Sequence, residues 1–229
     1  MTQDLISPIA PDSPPPKAAG WRFWIPMLLQ LGLAIGVPAQ SAMTYYWGRA
    51  VVLQTRPVDP YDWMRGYSQT LSYDISQVSV LEKLPGWETI ATDRDQKQKP
   101  RLPYERREFY LILQQPTNTA TEDPNQPPDR PKPWQPVAIR PDRPGQLPVN
   151  QVALRGEIMA AMPRYNLETY YMDESKRDQI NDQINGVNRM NWARPRTNRP
   201  LPFVVEIRVG ADGQAVAHSL WIEQDRYQF

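Results

Sequence analysis

The longest apolar stretch of the chain runs from Phe23 to Gly48 and carries no charged side chain. As a helix rising ~1.5 Å per residue it would cover ~39 Å, more than the ~30 Å hydrocarbon core of a bilayer. Arg22 and Arg49 bracket it. Trp21, Phe23 and Trp24 crowd one end and Tyr45, Tyr46 and Trp47 the other. Such aromatic ends match the interfacial belts of a spanning helix. The pattern predicts a transmembrane helix over 21–48, with the lipid bilayer as its first partner. Pro26 falls near the start, where proline is tolerated, whereas Pro38 predicts a kink or an end near Val37. Two other readings exist: a buried core helix, and a signal peptide cleaved near Val37-Pro38-Ala39.

Downstream, the polar and apolar positions alternate with the period of strands. Thr70–Ser76 places Leu71, Tyr73 and Ile75 on one face. Phe109–Leu113 is a continuous apolar run that predicts a central strand, and Pro136–Arg140 alternates through Val137 and Ile139. Gln151–Met159 puts Val152, Leu154 and Ile158 on one side. Tyr165–Met172 is aromatic-rich and reads as a further strand. Phe203–Val209 and Ala215–Ile222 flank Gly210-Ala-Asp-Gly213, a strong hairpin signal. One helix stands out. Asp173 suits its cap and Glu174 its first turn, and Ile180, Ile184 and Val187 recur at helical spacing. The expected class is α+β, mainly β: one transmembrane helix, then six or seven strands and one short helix.

Composition changes this picture in three places. Proline accounts for 26 of 229 residues, about twice the usual ~5 %. Five prolines fall in 1–20, which reads as a disordered tail, and ten fall between Pro116 and Pro148. Residues 117–133 hold too little apolar surface to offset ordering entropy and read as a disordered loop inside a 49–229 domain. Charge is nearly balanced, 26 Lys+Arg against 25 Asp+Glu, which excludes a strongly basic nucleic-acid binder. The absence of cysteine excludes disulfides and thiolate sites, and a single histidine, His218, argues against a histidine-rich metal site. No metal and no cofactor is expected.

The stretch Arg65-Gly66-Tyr67-Ser68-Gln69-Thr70-Leu71-Ser72-Tyr73 resembles the signature of the GDYXXLXY family, a group of membrane-anchored bacterial proteins. Gly66, Leu71 and Tyr73 stand on signature positions, while Tyr67 and Ser68 replace its aspartate and tyrosine. Trp134-Gln-Pro-Val-Ala138, Gln151-Val-Ala-Leu-Arg-Gly156 and Arg164-Tyr-Asn-Leu-Glu-Thr-Tyr-Tyr171 are similar to later family segments. In the last of these Asn166 replaces a glycine, a mild change where the backbone is left-handed. The resemblance implies one membrane helix, a β-rich domain and a multi-pass membrane protein as partner. It brings no established activity.

Candidate chemistry is sparse. His218 falls on a strand, on one face with Val216, Leu220 and Ile222, and reads as a hydrogen-bonded core or edge residue. Tyr67, Tyr165 and Tyr170 are candidate binding residues, because aromatic side chains dominate interfaces and pockets. The glycines form no phosphate-binding loop. The Lys/Arg count ties across the apolar segment, so the short N-terminal tail favours a domain on the extracytoplasmic side. The expected function is binding or accessory work beside a membrane protein. The alternatives are a membrane-associated hydrolase or glycan-modifying enzyme, and a structural protein secreted after cleavage.

Overall fold

The computed structural model of the chain describes residues 21–58, 68–94, 99–117, 131–171, most of 179–187, and 203–228. The predicted tail over 1–20, most of the 117–133 loop, and the cap residues Asp173 and Glu174 lie outside the described residues.

Helix α1 spans Trp21–Trp47 and holds both Pro26 and Pro38 inside it. Its length and composition suffice to cross a membrane. The chain divides into two compact units between Ala39 and Gln40. An end to the helix near Val37 is therefore corrected. Pro38 removes one backbone donor, but the following turns find new partners in the second unit. There Gln40 Nε2 donates to Asp212 Oδ2 at 3.1 Å, and Gly48 N closes on Thr44 O at 2.8 Å.

The second unit is α+β, mainly β, as the alternation predicted. Its strands are β1 (Arg49–Val58), β2 (Ser68–Tyr73), β3 (Asp93–Arg94), β4 (Pro100–Arg101), β5 (Arg107–Gln114), β6 (Gln135–Arg140), β7 (Gln151–Met159), β8 (Met162–Arg164), β9 (Thr169–Tyr171), β10 (Phe203–Val209), β11 (Ala215–Ile222) and β12 (Asp225–Gln228). They form a six-stranded sheet, β12-β11-β10-β1-β2-β9, a four-stranded sheet, β6-β5-β7-β8, and the β3-β4 pair. Every pairing among the described residues is antiparallel. The additional strands are mostly pieces of two to four residues, too short to show a period. Strand β1 escaped the pattern for another reason. Its Ala50–Leu53 run is apolar without alternation and follows directly on the apolar helix.

One hydrophobic core joins the two larger sheets. Val51 and Leu53 of β1 pair with Ile207 and Val205 of β10 and share the buried face with Leu220 and Ile222 of β11. Phe109, Leu111 and Leu113 of β5 and Val152, Leu154 and Ile158 of β7 supply the other half. Each fully buried aliphatic side chain contributes about 1.5–3 kcal/mol relative to exposure. Strand β5 is paired on both edges, as its uninterrupted apolar run implied. Ile180, Ile184 and Val187 are buried on the helical residues of 179–187 and close the core.

Two predicted strands are shorter than their pattern. Burial alternates over Ser72–Ser76, but the strand ends at Tyr73 and Asp74–Ser76 is a 3₁₀ turn. Gln77 closes that turn, its N donating to Asp74 O and its Nε2 to Asp74 Oδ1, both at 3.1 Å. The segment Tyr165–Met172 is likewise not one strand. Asn166 takes a positive φ of 57°, and Tyr165 N donates to Glu168 Oε1 at 2.7 Å. That turn hands the chain from β8 in the four-stranded sheet to β9 in the six-stranded one. The hairpin at Gly210–Gly213 forms as its sequence required. Gly213 adopts φ 85°, a left-handed conformation that glycine takes without penalty.

Candidate functional site

The signature strand and the turn around Asn166 hold one another. Tyr73, at the end of β2, is fully buried, and its hydroxyl donates to Leu167 O at 2.8 Å. Tyr165 is 2 % exposed, and its hydroxyl donates to Ile75 O at 3.0 Å. Each segment thus supplies one donor and one acceptor to the other. Both acceptors are backbone carbonyls that would otherwise lack water, so the hydroxyls satisfy groups that are costly to leave unpaired. Tyr165 also meets Phe109 edge-to-face, with centroids 5.8 Å apart. Gly156 makes that contact feasible. A Cβ there would stand 2.5 Å from Phe109 Cζ and 2.9 Å from Tyr165 Cε1. Burial pushes the Tyr165 phenol well above its ordinary range, with Glu168 adding in the same direction.

The sequence-derived site residues therefore divide. Gly66 and Tyr67 lie outside the described residues. Leu71 pairs with Pro57 through the β1–β2 ladder, and Tyr170 pairs with Gln69 between β9 and β2. Tyr73 and Tyr165 occupy the core, and Tyr165 borders a cleft. That cleft, of about 250 Å³, is polar, with Arg106, Glu108, Arg155 and Glu157 along it. Its charges are paired, Arg106 with Glu157 and Arg155 with Glu108.

A second polar cluster lies on the outer face of the six-stranded sheet. Glu206 of β10 receives Arg226 Nη2 at 3.1 Å, Arg208 Nη2 at 3.2 Å and Ser219 Oγ at 3.3 Å. Arg226 Nε donates to the buried Ser219 Oγ at 3.1 Å. Two guanidinium groups on one carboxylate leave this cluster with a local charge of about +1 at neutral pH. His218 belongs to it. The β10–β11 register shifts between Glu206 and Ile207, so that Glu206 faces Ser219 while Ile207 faces Ala217. His218 is the extra residue of that bulge, and strict alternation with Leu220 and Ile222 is corrected here. Its ring stacks on Tyr45, centroids 4.8 Å apart and 28° between planes. Its Nδ1 lies 3.4 Å from Arg226 Nη2 and 3.8 Å from Glu206 Oε1. Burial lowers the His218 pKa. Glu206 opposes this, and Arg208 and Arg226 add to it. The imidazole is therefore neutral at pH 7. The cluster seats the last turns of α1 against the sheet, and Gln228 Nε2 adds a bond to Tyr45 Oη at 3.0 Å.

A further cleft of about 390 Å³ is bordered by Trp47, Arg49, Tyr110 and Arg143 among others. Arg49 Nη1 donates to Gln151 O at 2.9 Å and its Nη2 to Val149 O, and its guanidinium lies 5.0 Å from the Trp134 ring. This arginine was read in the sequence only as a flank of the apolar helix. Among the described residues, no group of three His, Asp or Glu side chains gathers that could hold a metal ion.

An apolar helix that leads directly into a two-sheet β domain, with a tyrosine-locked signature strand, defines the class of protein. The model of the GDYXXLXY protein family matches residues 30–220, and the chain belongs to that family. Comparison with curated proteins and with solved structures gives no match.

Proposed function

We propose that the chain is a single-pass membrane-anchored protein whose β-rich domain acts by binding, as an extracytoplasmic accessory module of a multi-pass membrane protein. One observation carries this reading. The last two turns of α1 are built into the domain through Gln40–Asp212, the Tyr45–His218 stack and the Tyr45–Gln228 bond, and only Gly48 separates the helix from β1. A domain that begins one residue after an apolar helix stays within reach of the bilayer surface and of whatever protein surface emerges there. A loosely tethered domain would sample a much larger volume. Lys17 and Arg22 on one side of the helix tie with Arg49 and Arg56 on the other, and a long domain translocates largely regardless of charge; the extracytoplasmic side is the reading adopted for the domain.

Three measurements test the reading on the full chain. Alkaline carbonate should leave it in the membrane pellet. Protease added to intact cells stripped of outer layers should reach the domain and not the N-terminus. Purification in mild detergent should bring a multi-pass membrane protein with it in fixed stoichiometry. Release by carbonate would remove the anchor, protection of the domain would reverse the orientation, and a monomer without companions would remove the partner.

A further inference from the structure

We propose that the cleft bordered by Trp47, Arg49 and Arg143 is a binding site for the phosphate headgroup of an anionic phospholipid. The proposal rests on α1 spanning the bilayer. Trp47 is the last residue of α1 and is 78 % exposed. It would then lie in the interfacial layer, the depth that tryptophan favours. Arg49 follows two residues later, within about 7 Å of chain, so its depth is set by the same anchor.

The cleft is suited to an anion. The charged side chains along it, Arg49 and Arg143, are both positive. A guanidinium has five N–H donors. Arg49 spends one on Gln151 O and one on Val149 O, and Arg143 spends one on Ala211 O at 2.6 Å. Both are thereby held in place with donors left over, which is preorganisation for a phosphate. Asp212, between the lining residues Ala211 and Gly213, keeps its negative charge while its two oxygens accept from Gln40 Nε2 and from Gln214 N, so the two arginines outnumber it. Tyr110 and the buried Val152 and Val209 also line the cleft, so apolar side chains stand in it beside the two arginines.

A second observation points to lipid and not to a soluble phosphate. Val149 is 91 % exposed, an apolar side chain in the turn that leads into β7. Its carbonyl is the one that Arg49 holds. The arginine, two residues from Trp47, therefore ties down the turn that carries this exposed apolar side chain. In water that exposure gains nothing, whereas an apolar side chain in the interfacial layer would bury part of its surface.

The test uses the full chain in nanodiscs of equal phosphatidylglycerol and phosphatidylcholine, after carbonate extraction of membranes has established that it is integral. Native mass spectrometry of the released protein then counts the lipids that remain bound. Phosphatidylglycerol should be retained over phosphatidylcholine. Arg143→Gln should reduce that preference about fivefold, the factor expected for one arginine near an anionic surface. Arg143→Lys should keep most of it, and millimolar inorganic phosphate should not displace the lipid. Equal retention of the two lipids, or an unchanged preference in Arg143→Gln with an unaltered unfolding midpoint, would overturn the site. Displacement by inorganic phosphate would make it a phosphate site without lipid. Loss of a co-purifying protein in Arg143→Gln with no change in lipid would make it a protein contact; both results overturn the lipid assignment. A chain released by carbonate removes the spanning reading instead, so the two failures are distinct.

Discussion

Replacing Tyr165 by phenylalanine removes one hydroxyl from the core and leaves the ring packed on Phe109. The Ile75 carbonyl, which that hydroxyl reaches at 3.0 Å, then has no partner in a region closed to water. Leaving a buried acceptor unpaired costs about 1–3 kcal/mol. Tyr73→Phe does the same to Leu167 O, 2.8 Å away. Each single variant should therefore lower the unfolding free energy by about 1–3 kcal/mol, about 2–4 °C in Tm per kcal/mol for a domain of this size. Because both bonds join the same two segments, the double variant should depart from additivity by about 0.5 kcal/mol or more. Urea unfolding of the full chain in detergent, followed by tryptophan fluorescence, measures all three. The same bond carries a pH signature. The Tyr165 phenol has its pKa raised by burial, so its contribution is complete below the ordinary tyrosine value near ~10 and is lost as pH rises beyond it. Wild type should lose stability above that pH more steeply than Tyr165→Phe. Single variants within about 0.3 kcal/mol of wild type would refute the idea that the hydroxyls lock the two segments.

Gly156→Ala should destabilise the domain by about 1–3 kcal/mol, because its Cβ would stand 2.5 Å from Phe109 Cζ in a closed core; the companion Phe109→Leu should recover part of the loss in the same urea assay. His218 has its pKa lowered by burial, so its contribution is present above about pH 6.5 and is lost as acid charges the ring beside Arg208 and Arg226. The midpoint of thermal unfolding should fall as the pH drops below about 6.5 in wild type, and this fall should flatten in His218→Asn.

The elements that could be read from the sequence are those whose signal is local. The β10–β11 hairpin needed only two alternating runs and Asp212-Gly213, and β7 kept its predicted bounds because each of its inward positions is apolar. The helix carrying Ile180, Ile184 and Val187 was visible from spacing alone. The readings that changed depended on distant partners. Alternation through Tyr73 and Ile75 could not show that the strand stops at Tyr73, because a 3₁₀ turn keeps both side chains buried. Nothing near His218 announces a bulge, which exists only in the register of β10 against β11. Arg49 looked like a membrane flank, and its bond to Gln151 O spans 102 residues of chain.

The amino-acid sequence by itself determined the apolar helix, the mainly β class and the family, since each rests on residue type and spacing along a continuous segment. Only the tertiary structure decided what the tyrosines do. Period two says that Leu71, Tyr73 and Ile75 share a face, but burial of that face depends on which sheet comes to lie against it. Tyr73 and Tyr165 are 92 residues apart, and their hydroxyls became structural bonds only when the β2 end and the Asn166 turn were brought together. The same long-range assembly placed His218 under Tyr45 and set Arg49 and Arg143 around one cleft.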